Sequence, residues 1–135
     1  MQLEFINASS ENASLAHAVA YVVYMETNAK SLRVVEAMCS MIYNAANHNP
    51  ENIKAIISDS TLFKSVNSDS VVDVNCRGYQ MCLRVATRML HGNLPDSCNH
   101  ATMFHHANMM PDWAVARGYV ADIDNLLFYA GGAGK

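Results

Sequence analysis

The chain has 135 residues, 51% of them hydrophobic and 16% charged, with a formal net charge of −3. That balance excludes a disordered chain and allows one domain with a sizeable core. The nine lysines and arginines are scattered, without the basic patch that holds nucleic acid or anionic lipid, so neither is expected as a partner.

Residues 9–26 read as a first helix, with Ser9, Ser10 and Asn12 competing as its N-cap. Leu15, Ala18, Val19, Val22, Val23 and Glu26 share one face at the i, i+3, i+4, i+7 spacing. Asn28 suits a left-handed stop. The apolar run 15–25 is too short to cross a bilayer and contains His17. A second helix over 31–47 carries Val34, Val35, Met38, Met41, Ile42 and Ala45 on its apolar stripe. Glu36, Ser40, Tyr43, Asn44 and Asn47 form a polar stripe beside it.

Asn49 followed by Pro50 starts a short third helix, 50–58. A loop rich in Ser and Asp follows, interrupted by "TLF" at 61–63. A fourth helix spans 76–91, with Tyr79, Cys82, Leu83, Ala86, Met89 and Leu90 on one side and Gly92 as its stop. "HATMFHHA" (100–107) alternates like a strand, and "NLLFYA" (125–130) reads as its partner. "PDWAVA" (111–116) reads as a short helical turn. The fold class is therefore α+β and predominantly α-helical, with a small β-hairpin near the C-terminus. No repeat or linker divides residues 1–135.

Cys39, Cys76, Cys82 and Cys98 form no C-x-x-C pair. They read as free thiols, although an even count permits disulfides. His100, His105 and His106 near Cys98 raise the question of zinc. The spacing C-x-H-x4-H-H matches no standard site, and strand alternation turns His105 away from His100 and His106. Lining or packing roles are expected for these histidines, and no metal. The tail "GGAGK" lacks the Ser or Thr and the following helix of a phosphate loop. Most of the nine methionines fall on helical stripes and suit core filling. Phe63, Phe104, Trp113, Tyr43 and Tyr129 fit a core as well as the flat walls of a sugar cleft.

Glu26 stands out. A glutamate at a helix end is ordinarily solvated, but this one extends an apolar stripe. Burial and the negative end of the helix dipole are both expected to raise its pKa. A carboxyl kept protonated near neutral pH is what a general acid requires.

The segment "YMETNAKSLRVVEAMCSMIYNA" (24–45) resembles, without a gap, the opening Y-G-E-A-R-G-E and helix-end N-R of the spore-cortex-lytic, SleB-like cell-wall hydrolases. Tyr24, Glu26 and Asn44 carry the match. Pro50 and "IISDSTLFK" (56–64) follow at the family's spacing, with Phe63 at the centre of its Q-F-S triplet. "HATMFHHA" is similar to G-A-T-x-F-H through Ala101, Thr102, Phe104 and His105, and Trp113 follows. "IDNLLFY" (123–129) keeps Ile123, Asn125, Phe128 and Tyr129 of I-G-N-H-x-F-Y. The chain departs from the pattern at Lys30, Leu62, Lys64, His100 and Leu127.

The resemblance, over about 15–130, implies a lysozyme-like domain acting on the glycan strand of peptidoglycan. The bond cut is the one between N-acetylmuramic acid and N-acetylglucosamine. It implies Glu26 as catalytic acid and base. Tyr43, Asn44, Thr102 and His105 are then expected near the sugar, with Phe63, Phe104, Trp113 and Tyr129 as cleft walls. Hydrolysis uses a second carboxylate at a defined separation. Glu36, Asp59, Asp69 and Asp73 offer no marked partner, which favours one-carboxylate lytic transglycosylase chemistry. A hydrolytic muramidase and a degenerate saccharide-binding relative are the alternatives. No cofactor and a monomer are expected. "MQLEFINASS" lacks the positive start of a signal peptide. That fits a phage-type endolysin, cytoplasmic in its producing cell and acting at the wall.

Overall fold

A computed structural model describes residues 2–68, 70–114 and 118–130. In chain order the elements are α1 (Gln2–Thr27), α2 (Leu32–Ala45), α3 (Pro50–Ile57), a 3-10 turn (Lys64–Asn67) and α4 (Arg77–Leu90). Strands β1 (Ala101–His106), β2 (Ala121–Ile123) and β3 (Leu126–Ala130) follow. The chain is α+β and predominantly helical, with a small antiparallel sheet on the C-terminal side.

Local chemistry explains most helix ends. Ser31 caps α2, its hydroxyl accepting from the Val34 N–H at 3.1 Å. The Asn49 side chain accepts from the Glu51 N–H at 3.0 Å, with Pro50 in the first turn of α3. The Cys76 thiol takes the same role for α4. The start of α1 corrects the sequence expectation. Ser9, Ser10 and Asn12 lie inside the helix and are not its caps. Each costs only a few tenths of a kcal/mol in a helix interior, and no Gly or Pro interrupts 2–27. At the far end Asn28 and Ala29 both have positive φ, 54° and 51°. The Thr27 hydroxyl donates to Val23 O and accepts from Ala29 N, closing the turn.

Helix α2 packs against α1, α3, α4 and the sheet. Its buried residues extend well beyond one stripe, from Val34 to Ile42, as suits a central helix. Its polar stripe docks the loop before β1. Ser40 bonds Ser97 and Pro95 O, and the Asn44 amide donates to Asp96 Oδ1 at 2.9 Å and Ala101 O at 3.1 Å. Gly78 lets the start of α4 close on the end of α1. A Cβ there would stand 3.0 Å from both Ala29 Cβ and Tyr24 Cε1.

The expected pairing of β1 with β3 is present, Phe104 opposite Phe128 and His106 opposite Leu126. The sheet is larger than a hairpin, however, because β2 adds to the other edge of β3. Asp124 and Asn125, at φ 49° and 67°, form the two-residue β2–β3 turn. Asp and Asn tolerate the left-handed conformation that such turns require. Within 111–116 the described residues 111–114 form a turn without a helix, and 115–116 lie outside the described residues. Phe63, Met38, Met41 and Phe128 belong to one connected core of helices and sheet. No helix among the described residues is long and apolar enough to cross a membrane.

Candidate active site

Three elements converge on one carboxylate. Glu26 lies in the last turn of α1 and is only 7% exposed. His106, the last residue of β1, places its Nε2 3.0 Å from Glu26 Oε1. The Ser65 N–H, in the 3-10 turn, donates to Oε2 at 3.0 Å. That turn is fixed from behind. Asp59 accepts from the Thr61 N–H and hydroxyl, and Phe63, fully buried, packs against Phe104 with ring centres 5.5 Å apart.

These donors reverse the expected pKa shift. Burial pushes the Glu26 carboxyl up, but the His106 imidazole and the Ser65 N–H stabilise the anion more. The group is held below its ordinary value of 4.5. The Ser65 hydroxyl is buried too. It lies close enough to favour the anion without reaching hydrogen-bond geometry, so it is left without a partner.

His106 is supported through its neighbour. The Nδ1 of His105 lies 2.8 Å from the His106 carbonyl oxygen. A carbonyl only accepts, so Nδ1 carries a proton. In the neutral ring Nε2 then accepts from the Tyr129 hydroxyl, also at 2.8 Å. Trp113 meets both rings edge-on.

Three cavities meet at this pair, and Glu26 and His106 line each of them. One of about 500 Å³ extends past Asn28, Lys30, Asp124 and Asn125. A second of about 170 Å³ is walled by Leu62, Phe104, His105, Met110 and Trp113. The third, about 400 Å³, passes Met25, Lys64, Ser65 and Asn108. Together they form an extended cleft with polar and apolar walls, with one carboxylate and one imidazole at its centre.

The Cell Wall Hydrolase family profile matches residues 16–129. The chain belongs to this family. No curated protein and no solved structure matches it. As a cell wall hydrolase it is an enzyme of the wall, with peptidoglycan as its substrate class.

In this cell wall hydrolase the residues singled out from sequence divide into groups. Phe104, His105 and Trp113 line a cavity shared with Glu26. Tyr129 is buried behind His105, where burial pushes its hydroxyl pKa up. Phe63 is core, not an open wall. Tyr43 stacks on His48, Asn44 anchors the 96–101 loop, and Thr102 sits at a register shift in β1. None of these three lines the cavities around Glu26.

Of the other carboxylates singled out from sequence, Glu36, Asp59 and Asp73 are occupied elsewhere. Glu36 pairs with Arg88. Asp59 and Asp73 accept from their own turns. Asp69 lies outside the described residues. Among the described residues no three His, Cys, Asp or Glu side chains cluster to hold a metal. All four cysteines are free thiols.

Sequence reasoning reaches His106 as a lining or packing residue, without its contact to Glu26, and does not reach Ser65. The signal for Ser65 lies one residue beyond the family triplet, whose serine falls on Lys64. The signal for His106 is its alternation with His105.

Proposed function

We propose that this cell wall hydrolase is of the SleB-like type and cleaves the glycan strand between N-acetylmuramic acid and N-acetylglucosamine, with Glu26 as acid and then base. The observation that carries the reading is the meeting of three cavities at one buried carboxylate. A strand laid across them brings a glycosidic oxygen to Glu26 with sugars on either side. Proton transfer through Glu26 to that oxygen releases the leaving sugar. An oxocarbenium-like centre forms on the muramic acid residue. The Glu26 carboxylate then takes the proton of that sugar's own 6-hydroxyl, whose oxygen closes a 1,6-anhydro ring. Phe104 and Trp113 provide apolar surface for sugar faces.

One observation favours a second reading. Asp124 lines the largest of the three cavities together with Glu26. A second carboxylate there suits a hydrolytic muramidase, with Asp124 activating water. It is, however, held by the Ser31 hydroxyl at 2.6 Å. Product mass from purified peptidoglycan separates the two readings. The transglycosylase gives muropeptides lighter by one water and is insensitive to Asp124→Asn. Hydrolytic products, lost on Asp124→Asn, would establish the second reading.

A further inference from the structure

The donors around Glu26 work against its proposed role. They hold its carboxyl below the ordinary value of 4.5, which favours the anion at neutral pH, and an anion has no proton to give. Its Oε1 faces the ring N–H of His106 at 3.0 Å, and a carboxylate only accepts, so Nε2 carries that proton. The two side chains differ in access: that of Glu26 is 5% exposed and that of His106 34%. His106 also borders every cavity that Glu26 borders. The imidazole is therefore open to the cleft while its Nε2 holds the carboxylate.

The surrounding groups leave this role to His106. Ser65 contributes a backbone N–H that does not titrate. Lys30, Lys64 and Asp124 line the cavities from the α1–α2 connection, the 3-10 turn and the β2–β3 turn. Among the described residues none of them bonds or ion-pairs with Glu26. His105 points its nitrogens at Tyr129 and the His106 carbonyl instead.

We propose that His106 is the proton store of the site, holding as imidazolium the proton that Glu26 delivers and receiving it back after each turnover. The proposal rests on Glu26 being the acid and base. Substrate filling the three cavities strips water from the pair. Separated charges become costly in that drier setting, and the proton passes from Nε2 to Oε1. The pair is then neutral imidazole and carboxylic acid. The Glu26 O–H protonates the glycosidic oxygen, and the C1–O bond breaks with its electron pair going to that oxygen. The 6-hydroxyl oxygen bonds to C1, its proton passes to the Glu26 carboxylate, and from there to Nε2. Protons balance and no water is consumed. His106 acts through Glu26 and is its positioning and proton-supplying partner.

The test is the pH profile of muropeptide release from purified peptidoglycan by the parent, His106→Gln and Glu26→Gln. Gln can still hydrogen-bond Glu26 but stores no proton. His106→Gln is expected to lose about 100-fold in kcat at pH 7, the low end for general acid–base work. It is expected to recover to within about threefold of the parent below about pH 5, where a carboxyl begins to protonate without help. A uniform loss at every pH, or an unchanged profile, would overturn the proposal. Glu26→Gln is expected to be inactive throughout. If it stays active, the Glu26 reading itself fails. If it is dead while His106→Gln keeps the parent profile, only the role of His106 fails.

Should His106→Gln not fold, His106→Asn carries the same test. A loss of kcat at pH 7 that recovers on acidification is expected, and a uniform loss at every pH or an unchanged profile would overturn the proposal.

Discussion

Phe63→Ala tests whether the 3-10 turn is held from the core. Phe63 is fully buried and packs at a tilt against Phe104, two residues before the N–H that binds Glu26. Removing a buried phenyl ring costs about 3–5 kcal/mol when the cavity does not collapse. A domain of this size has roughly 5–15 kcal/mol in all, so much of the margin disappears. In urea unfolding the midpoint should fall with an unchanged m-value. Phe63→Leu keeps most of the volume and should cost less than about 1.5 kcal/mol. Activity per folded molecule should survive in Phe63→Leu, because the ring is not offered to substrate. The reasoning is refuted if Phe63→Ala costs under about 1 kcal/mol. It is equally refuted if Phe63→Leu keeps full stability while losing activity, which is how an open cleft wall behaves.

Other outcomes follow from single contacts. Gly78→Val should destabilise by about 1–3 kcal/mol in urea, as overpacking does, because even its Cβ meets Ala29 and Tyr24 at 3.0 Å. Asn44→Ala should cost about 1–3 kcal/mol in thermal unfolding by leaving Asp96 and the Ala101 carbonyl short of a donor, with product identity unchanged. The Glu26 carboxyl is held below 4.5, so its linked stability is full above that value and is lost as pH falls through the folded pKa. Parent and Glu26→Gln should therefore converge in stability below pH 4.5, and a gap that widens on acidification would contradict the shift.

The helices were legible because their signals are local. Ser31, Asn49 with Pro50, and Asn28 mark ends that depend on nearby atoms alone. The period-2 run "HATMFHHA" and its partner were legible for the same reason. Strand β2 was not, being three residues long and stable only as an addition to β3. Asp124-Asn125 is nonetheless a readable turn signal, since both residues accept positive φ.

The site was legible in part. Glu26 is conspicuous as a carboxylate on an apolar face. The sign of its pKa shift was not legible, because it depends on donors 39 and 80 residues away in sequence, Ser65 and His106. Tyr43 and Asn44 show the converse limit. They lie on the polar stripe of α2, and periodicity does not tell a stripe that faces substrate from one that docks a loop.

The measurement that bears most directly on the central claim is mass spectrometry of the soluble products from purified peptidoglycan, run side by side for the parent and Glu26→Gln. The parent should release muropeptides one water lighter than hydrolytic products, and Glu26→Gln, folded by circular dichroism, should release none. Soluble muropeptides from Glu26→Gln at the parent's rate would contradict the account.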